Sequence, residues 1–428
     1  MRSVTLVPLS KPAEATIAIP GSKSYTNRAL LMAAMSKRTV LIANPLISDD
    51  TEAMMRCLET LGVVCTKNEK SITVSGDLDN IPEREYDLDA NLSGTTIRFM
   101  LALSAVIPGT KILRGKEGLQ KRPISDLVAG LCQLGARIEY LENEGFPPLC
   151  VSSSSLSPGS VRMNGGVSSQ YFSALLMIAP RVGSLKIEVI GEQISKPYID
   201  MTIDTMKQFG VIVQNNSYRS YVVADRQHYA TSRYAVEGDV SSASYFFAIA
   251  ALTNSRITLT NLNQNSVQGD MKFLKIVEDM GNDVLWKADE VTIQGRGIRA
   301  VEVNMEDCPD QAQTLAVLAA FARGVTKISG IRSLRVKETE RVKAMQKELA
   351  KMGIKTEATQ DSLTIYGGAP KAAAIDTHGD HRMAMSFAVA GTKLSGMQIH
   401  DPTVVNKTFP QFWEKLQSIG AKVQAEVV

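Results

Sequence analysis

Residues 168–189 read SSQYFSALLMIAPRVGSLKIEV: two serines, a long apolar run and a short alternating stretch. From Tyr171 to Ala179, apolar side chains cover almost every face of the helix that this run predicts. A helix that is apolar on all sides belongs in a core rather than on a surface. The alternation that begins at Leu185 is typical of a β-strand. The stretch therefore predicts a buried helix followed by a strand.

The same pattern recurs along the whole chain. Each copy opens with small or polar residues, continues through a helix rich in Ala, Leu and Met, and ends in a β-type stretch. The spacing of roughly 70 residues is the scale of a supersecondary unit. The copies start near Ser24, Ser93, Ser168, Ser241, Asp310 and Asp380.

A second, amphipathic helix follows each buried helix and ends at a glycine before strand-like residues. A glycine just past a helix end supplies the left-handed conformation that the C-terminal cap needs. These glycines are Gly62, Gly135, Gly210, Gly281, Gly353 and Gly420.

Six such units, each with a buried helix, a covering helix and strands, predict an α/β fold. The chain of 428 residues exceeds the size of one ordinary core, so we expect two lobes with three units each. An α/β solenoid is the alternative, but solenoid repeats are usually shorter and lack a helix that is apolar on all sides.

The composition argues against several classes of function. A net charge of +3 and an aromatic content of 6% do not suit a nucleic-acid binder, which needs a basic stripe and stacking rings. The cysteines are scattered without a CxxC pair, so we expect neither a disulfide framework nor a zinc site. His378 and His381 lack a further Cys or His nearby, which favours a loop or a helix start over a metal site. Without a signal peptide or a membrane-spanning run, the reduced cytosol is expected.

The starts of the buried helices carry residues that suit an anion site. A helix N-terminus exposes unpaired N–H groups and a partial positive charge. For any one start, a helix cap is the simpler interpretation; six starts directed at one cleft would form an anion-binding cleft. The residues are Ser24, Gly94, Ser168, Ser169, Ser241, Asp310 and Asp380.

Cations accompany the first of these starts. Residues 20–28 read PGSKSYTNR, with Ser22 where a Walker A loop needs the glycine before its lysine, so ATP binding is not expected. Lys23 and Arg28 lie five residues apart across the helix start, a spacing that suits one shared anion site better than a solvated face.

Further cations follow in two motifs. Gly94, in SGTTIR, would let a ligand approach the backbone closely, and Arg122 precedes a proline, which favours an extended loop. The densest charged cluster is RVKETER, where Lys337 and Arg341 are expected on the same face of one helix. A surface helix with internal ion pairs is the alternative for this cluster.

Nine short motifs carry a resemblance to a known family. In order they are GSKS followed by Arg28, SGT at Gly94, KRP at Arg122, SSQ at Ser168, SKPY at Ser195, PD at Asp310, RVKETER at Arg335, DHRMAM at Asp380 and KTFP at Lys407. Each motif alone is a weak signal. Their joint occurrence from about Leu9 to Phe412 resembles the EPSP synthase family of enolpyruvyl transferases.

The resemblance implies a fold and a domain organisation. The family fold is a two-lobed inverse α/β barrel of six βαβαββ repeats, three per domain. Domain I is expected at residues 1–21 and 240–428, and domain II at residues 22–239, with the active site in the cleft between the domains. Hinges are expected where the chain crosses, near residues 20–22 and 237–239.

The resemblance also implies a reaction and its site. The enolpyruvyl group of phosphoenolpyruvate passes to the 5-hydroxyl of 3-phosphoshikimate by addition and elimination, on the route to chorismate. The residues implied for phosphoshikimate are Lys23, Ser24, Arg28, Ser168, Ser169, Gln170, Ser195, Tyr198, Asp310, Ser333 and Lys337. Those implied for phosphoenolpyruvate are Lys23, Gly94, Arg122, Gln170, Arg341, Arg382 and Lys407. The family often has asparagine where this sequence has Leu92 and Ser333.

Catalytic roles follow from the same resemblance. Asp310 is the candidate base for the hydroxyl, Glu338 the candidate acid for C3, and Lys23 a group that assists proton transfer or the leaving phosphate. The resemblance implies no metal and no organic cofactor, a cytoplasmic monomer, and no nucleic-acid or membrane partner. It also implies that glyphosate competes with phosphoenolpyruvate.

Two alternatives remain open at this point. The related transferase acting on UDP-N-acetylglucosamine normally has a cysteine in the loop before its ARP motif, whereas this chain reads GKEGLQKRP there and has Cys132 only later. A non-catalytic anion-binding protein with the same fold is the second alternative. The presence of Asp310, Glu338 and Lys23 together argues against it.

Overall fold

The structure is a computed structural model that describes residues 3–426. Its backbone contacts divide the chain into two compact units. The continuous unit is Gly21–Glu237, and the split unit combines Met1–Pro20 with Gly238–Val428. Each unit has its own hydrophobic core, so each is described by itself.

The chain begins with two strands of the split unit and then forms the whole continuous unit. The first two strands are β1 (Ser3–Val7) and β2 (Glu14–Ala18). The strands of the continuous unit are β3 (Val40–Ala43), β4 (Val64–Asn68), β5 (Ser71–Ser75), β6 (Glu85–Asp89), β7 (Thr110–Arg114), β8 (Ile138–Tyr140), β9 (Leu149–Val151), β10 (Gly159–Asn164), β11 (Leu185–Ile190), β12 (Val213–Asn215), β13 (Ser220–Val223) and β14 (Arg233–Ala235). Its helices are α1 (Lys23–Met35), α2 (Asp49–Thr60), α3 (Gly94–Ser104), α4 (Glu117–Gln120), α5 (Ser125–Gln133), α6 (Ser169–Val182) and α7 (Lys196–Gln208).

The strands of the continuous unit, all of them in described residues, form three four-stranded sheets. Their strand orders are β14-β3-β5-β4, β6-β7-β9-β8 and β10-β11-β13-β12. In each sheet the first pair is parallel and the other two pairs are antiparallel. Parallel neighbours need a long crossover, which α3 supplies between β6 and β7 and α6 supplies between β10 and β11. Because β14 joins the first sheet, the two ends of this unit are held together.

The split unit completes its elements after residue 238. Its further strands are β15 (Arg256–Thr260), β16 (Asp283–Lys287), β17 (Glu290–Gln294), β18 (Glu302–Asn304), β19 (Gly324–Ser329), β20 (Lys355–Ala358), β21 (Ser362–Gly367), β22 (Ala374–Ile375), β23 (Met397–His400) and β24 (Lys422–Glu426). Its helices are α8 (Val240–Thr253), α9 (Lys272–Asp279), α10 (Ala312–Phe321), α11 (Arg341–Lys351), α12 (His381–Gly391) and α13 (Phe412–Ser418). Short 3-10 helices cover Gly269–Met271, Pro309–Gln311, Arg332–Val336 and Pro402–Lys407.

The described strands of the split unit repeat the same sheet pattern. Their orders are β2-β15-β17-β16, β18-β19-β21-β20 and β22-β23-β1-β24. Strand β2 is parallel to β15, and β1 lies antiparallel between β23 and β24. The first strands of the chain therefore complete sheets whose other strands follow the continuous unit.

One helix of each repeat lies in the core of its unit. These inner helices are α1, α3 and α6 in the continuous unit and α8, α10 and α12 in the split unit. In α8 every residue from Val240 to Leu252 is buried, and in α10 every residue from Ala312 to Ala320 is buried. The prediction of buried helices that are apolar on all sides is confirmed.

The covering helices end as the sequence predicts. The residue two positions after each of α2, α5, α7, α9, α11 and α13 is glycine, with φ between +79° and +112°. This left-handed region carries a steric penalty for residues with a Cβ atom. The predicted glycine caps are therefore confirmed.

The two chain segments that pass between the units are held by reciprocal main-chain hydrogen bonds. In the continuous unit the Ser22 N–H donates to the Glu237 carbonyl at 2.8 Å, and in the split unit the Asp239 N–H donates to the Pro20 carbonyl at 2.9 Å. Residues 20–22 and 237–239, the segments predicted as hinges, are thus joined by one main-chain hydrogen bond within each unit.

Candidate active site

Lys23 is the first residue of α1 and forms an ion pair. Its Nζ lies 3.0 Å from Oδ2 of Asp50, a buried carboxylate in the first turn of α2. The main-chain carbonyl of Asp50 also accepts a hydrogen bond of 3.2 Å from the hydroxyl of Thr96, in the first turn of α3. Asp50 therefore orients the Lys23 ammonium group and ties it to a second inner helix. Asp50 belongs to none of the motifs predicted for the site.

Arg28 is fully buried further along α1. Its Nη1 donates to the Ser24 carbonyl at 2.9 Å, its Nη2 to the Tyr198 carbonyl at 3.0 Å, and its Nε to the Thr202 hydroxyl at 2.7 Å. Burial lowers the pKa of Arg28 to about 10. The sequence predicts one anion site shared by Lys23 and Arg28, whereas the structure gives these two cations different partners. Arg28 instead links two helices that carry residues predicted for phosphoshikimate.

The starts of α6 and α7 carry the predicted hydroxyl and amide groups. Ser168 caps α6 by accepting a hydrogen bond from the Gln170 N–H at 3.3 Å, and Ser169 is the buried first residue of that helix. Ser195, with a left-handed φ of +52°, directly precedes α7, which carries Tyr198 in its first turn. Helices α6 and α7 pack against each other. The structure therefore brings these residues to neighbouring helix starts.

Gly94 begins α3 beneath an arginine side chain. A Cβ atom at Gly94 would lie 2.5 Å from Nη1 of Arg122 and 3.7 Å from Nη1 of Arg98. The close approach of a ligand to the backbone at Gly94 stays a prediction. The Arg122 guanidinium lies against this glycine, and so the structure brings together two residues predicted for phosphoenolpyruvate.

Arg98 is a member of this half-site that the sequence analysis missed. Its Nη1 donates to Oε1 of Gln170 at 2.5 Å, and its guanidinium lies 5.2 Å from the ring centroid of Tyr171. The Gln170 amide also donates to the Thr95 hydroxyl at 3.2 Å. Arg98 lies four residues after Gly94, on the same helix face, and this spacing is the signal that could have found it.

In the split unit, Arg341 forms the centre of a buried ion network. It is the first residue of α11, and its Nε and Nη2 donate to the two oxygens of Asp380 at 2.7 and 3.4 Å. Nη1 donates to Asp310 at 2.8 Å, and Nη2 also donates to Glu338 at 2.8 Å. Arg341 and Asp380 are both buried. One guanidinium thus fixes three carboxylates, an arrangement that suits the planar fork of arginine.

Asp310 is surrounded by cations. Besides Arg341, the Nη2 of Arg382 lies 3.1 Å from its Oδ2, and the Nζ of Lys337 lies 3.8 Å from its Oδ1. Burial acts to raise the pKa of Asp310, but Arg382, Lys337 and Arg341 together hold it well below its usual range. Asp310 is therefore ionised at neutral pH in this structure.

Glu338 lies between two cations. Its Oε2 accepts from Nη2 of Arg341 at 2.8 Å, and its Oε1 lies 3.6 Å from Nζ of Lys407. The connected charged residues of the split unit are named the Asp310 cluster: Asp310, Lys337, Glu338, Arg341, Asp380, Arg382 and Lys407.

The expectation that Lys337 and Arg341 share one helix is wrong. A 3-10 helix covers Arg332–Val336, which includes Ser333, and α11 begins only at Arg341. The side chain of Glu340 caps α11, and a carboxylate that accepts from the first free N–H groups defines a helix start. Lys337 therefore reaches the Asp310 cluster from a loop.

Among residues 3–426, no three His, Cys, Asp or Glu side chains form a group that could hold a metal ion. In the same part of the chain, no helix has the length and apolar character required to cross a bilayer.

The sheets, the inner helices and the cationic helix starts define an α/β protein of the inverse-barrel class. Two solved structures of EPSP synthase from Acinetobacter baumannii share this fold. The first has a TM-score of 0.83 and 24% sequence identity, and covers 99% of this chain and 100% of that chain. The second has a TM-score of 0.82 and 23% identity, with the same coverage.

Sequence relationships identify the family. The profile of EPSP synthase (3-phosphoshikimate 1-carboxyvinyltransferase) matches residues 8–416. A protein named 3-phosphoshikimate 1-carboxyvinyltransferase from Sulfurovum sp. is 43% identical over 427 residues, covering 98% of this chain and 100% of its own. One of the same name from Colwellia psychrerythraea is 40% identical, with 98% and 100% covered. The chain belongs to the EPSP synthase family, which confirms the resemblance that the motifs indicated and favours it over the UDP-N-acetylglucosamine transferase.

Proposed function

We propose that this protein transfers the enolpyruvyl group of phosphoenolpyruvate to the 5-hydroxyl of 3-phosphoshikimate, on the route to chorismate. The products are 5-enolpyruvylshikimate 3-phosphate and phosphate. Family membership supports the reaction. The observation that carries the chemistry is the Asp310 cluster, because it holds the two candidate catalytic carboxylates, Asp310 and Glu338, in contact with lysine and arginine side chains.

The electrostatics of the substrates explain this number of cations. Each substrate has a phosphate and a carboxylate, and each therefore carries a charge of about −2.5 to −3 near neutral pH. Two such anions repel each other unless cations lie between them. Arginine forks suit phosphate and carboxylate oxygens and remain charged at any physiological pH.

The predicted ligands come from both units. For phosphoshikimate we propose the helix-start residues of α1, α6 and α7, and for phosphoenolpyruvate we propose Gly94, Arg122 and the arginines of the Asp310 cluster. We further propose that the substrates draw the two half-sites together by motion at residues 20–22 and 237–239, because a ligand that contacts cations of both units favours the state in which both are within its reach. Small-angle scattering should detect compaction when phosphoshikimate is added; unchanged scattering would reject the motion.

The proposed chemistry is an addition followed by an elimination. Asp310 accepts the proton of the 5-hydroxyl of phosphoshikimate while the hydroxyl oxygen forms a bond to C2 of phosphoenolpyruvate. The electron pair of the C2–C3 double bond takes a proton at C3 from Glu338, giving a tetrahedral intermediate. The Glu338 carboxylate then takes a proton back from C3, which restores the double bond as the bond from C2 to the phosphate oxygen breaks. Lys23 would stabilise the leaving phosphate.

The low pKa of Asp310 has a consequence for this role. A carboxylate whose cations hold its pKa well below the usual range is a weak base. Bound anions would partly neutralise Arg382, Lys337 and Arg341, and a weaker positive field raises a carboxylate pKa. Asp310 would therefore become a stronger base when the anionic substrates occupy the site.

The test is phosphate release in the presence of both substrates, with each substrate omitted in turn as the control. The native protein is expected to release phosphate only with both. Asp310→Asn should lose activity by roughly 10²–10⁴-fold, the usual contribution of one proton-transfer group, while calorimetry still detects phosphoshikimate binding. A native protein that binds both compounds and releases no phosphate would instead be the non-catalytic anion-binding protein. Normal turnover of Asp310→Asn would overturn the assignment of the base.

Further properties implied by family membership complete the proposal. We propose a cytoplasmic monomer that needs neither a metal nor an organic cofactor. We also propose that glyphosate, a small anion with a phosphonate and a carboxylate, competes with phosphoenolpyruvate. Inhibition that phosphoenolpyruvate does not relieve would contradict the last point.

A further inference from the structure

Asp270 is a buried carboxyl group that none of the predicted sites includes. It lies in the 3-10 helix Gly269–Met271, and its relative exposure is 7%. Its Oδ2 accepts a hydrogen bond from the hydroxyl of Ser241, in the first turn of α8. The sequence marks Ser241 only as one of the helix starts that suit an anion site.

The Ser241 hydroxyl connects Asp270 to the Asp310 cluster. Nη2 of Arg382 donates to Oγ of Ser241 at 3.4 Å, and the same nitrogen donates to Oδ2 of Asp310 at 3.1 Å. A hydroxyl has one proton and two lone pairs. Because the Ser241 hydroxyl donates its proton to Asp270, the lone pairs of the hydroxyl oxygen can accept the hydrogen bond from Arg382.

We propose that Asp270 is a positioning residue that acts through Ser241 to orient the Arg382 guanidinium for phosphoenolpyruvate. The inference rests on the proposed function, in which Arg382 is a ligand of that substrate. If Asp270 no longer took the hydroxyl proton, Ser241 could turn that proton toward Asp310 or Arg382. The guanidinium would then lose the Ser241 hydroxyl as an acceptor for Nη2.

The charges around Asp270 predict how this arrangement depends on pH. Burial raises the pKa of Asp270 to about 6; Arg382 lowers it, whereas Asp310 and Asp239 raise it. The Cys308 thiol interacts electrostatically with Asp270 and with Lys272, which is two residues after Asp270 in the chain. A protonated Asp270 could itself donate to Ser241 and would no longer require the proton of the hydroxyl. The orientation of Arg382 should therefore weaken as pH falls through about 6.

The test compares Ser241→Ala, Asp270→Asn and the double variant, with Ser244→Ala as the matched control. Ser244 is a buried serine of the same helix whose hydroxyl donates to the Ser241 main-chain carbonyl at 2.7 Å. Ser241→Ala should raise the KM for phosphoenolpyruvate roughly tenfold, the scale of one hydrogen bond to a charged group. The KM for phosphoshikimate should change less than twofold, and Ser244→Ala should change neither. Urea unfolding of each variant measures the structural contribution separately.

The double variant shows whether Asp270 acts through Ser241. If it does, Ser241→Ala with Asp270→Asn should match Ser241→Ala alone, because the second change has no remaining route to Arg382. Native protein should show a rise in the KM for phosphoenolpyruvate below about pH 6 that Asp270→Asn lacks. Two results would overturn the inference while leaving the proposed function intact. In the first, the increases in the KM for phosphoenolpyruvate caused by the two single changes multiply in the double variant. In the second, Ser241→Ala changes this KM no more than Ser244→Ala does. A native protein that neither turns over nor binds phosphoenolpyruvate in calorimetry would overturn both.

Discussion

Replacing Arg341 with methionine should destabilise the split unit strongly. The substitution keeps much of the side-chain volume but removes the charge that contacts Asp380, Asp310 and Glu338. Asp380 is the decisive partner because it is fully buried. Removing one member of a buried ion pair leaves an uncompensated charge, which costs about 3–5 kcal/mol. The exposed fractions of Asp310 and Glu338 side chains, 14% and 16%, let water compensate part of their loss, so we expect the total to stay within that range.

The tryptophans report on the relevant unit. Both of them, Trp286 and Trp413, lie in the split unit, so their fluorescence follows its unfolding in urea. The free energy of unfolding falls by about 1–3 kcal/mol per molar of urea, so a loss of about 3–5 kcal/mol should lower the midpoint by roughly 1–5 M. Asp380→Asn added to Arg341→Met should recover part of this shift, because it neutralises the unpaired carboxylate.

A surface ion pair of the same unit provides the control. Arg296 lies 2.9 Å from Asp283, with side-chain exposures of 61% and 49%, and an exposed pair is worth about 0–1 kcal/mol. Arg296→Met should therefore barely move the fluorescence midpoint. If Arg341→Met moved it no further than Arg296→Met does, the network would not stabilise the fold and the reasoning from burial would be refuted.

Two further predictions concern the continuous unit. In Gly94→Ala, the new Cβ would lie 2.5 Å from Nη1 of Arg122 and would displace that flexible side chain. The KM for phosphoenolpyruvate should therefore rise about tenfold, the scale of one hydrogen bond to a charged group, with little change in the unfolding midpoint. An unchanged KM in steady-state kinetics would contradict this. Burial lowers the pKa of Lys111 to about 8 from its ordinary 10.5, so the folded protein binds fewer protons than the unfolded chain between these values and its stability should rise with pH there. Lys111→Met should flatten that rise in urea unfolding followed by circular dichroism, and a rise that persists unchanged would assign it to other groups.

The parts of the fold that the sequence predicts are those that depend on neighbours in the chain. A helix apolar on all sides and a glycine two positions past a helix end are local patterns, and both appear at their expected places. The pairing of β1 with β23 and β24, and of β14 with β3, joins strands from distant parts of the chain. Short strands of this kind carry no signal for their partners, so the sequence did not predict which strands close each unit.

The candidate site divides in the same way. The motifs identify Lys23, Arg122 and Arg341 because each belongs to a short, recognisable string. Asp50 and Asp270 were missed because each meets its partner from another helix, and a lone aspartate in sequence has no distinguishing feature.

A further property of the site depends on distances that no motif specifies. The sequence names a carboxylate and several cations, but whether Asp310 is a strong or a weak base depends on how burial and ion pairing balance. Burial alone would raise its pKa, whereas Arg382, Lys337 and Arg341 together lower the pKa further than burial raises it. The same cations that would hold the substrates therefore suppress the base until anions arrive. This coupling would delay proton removal from the hydroxyl until both acids are in place.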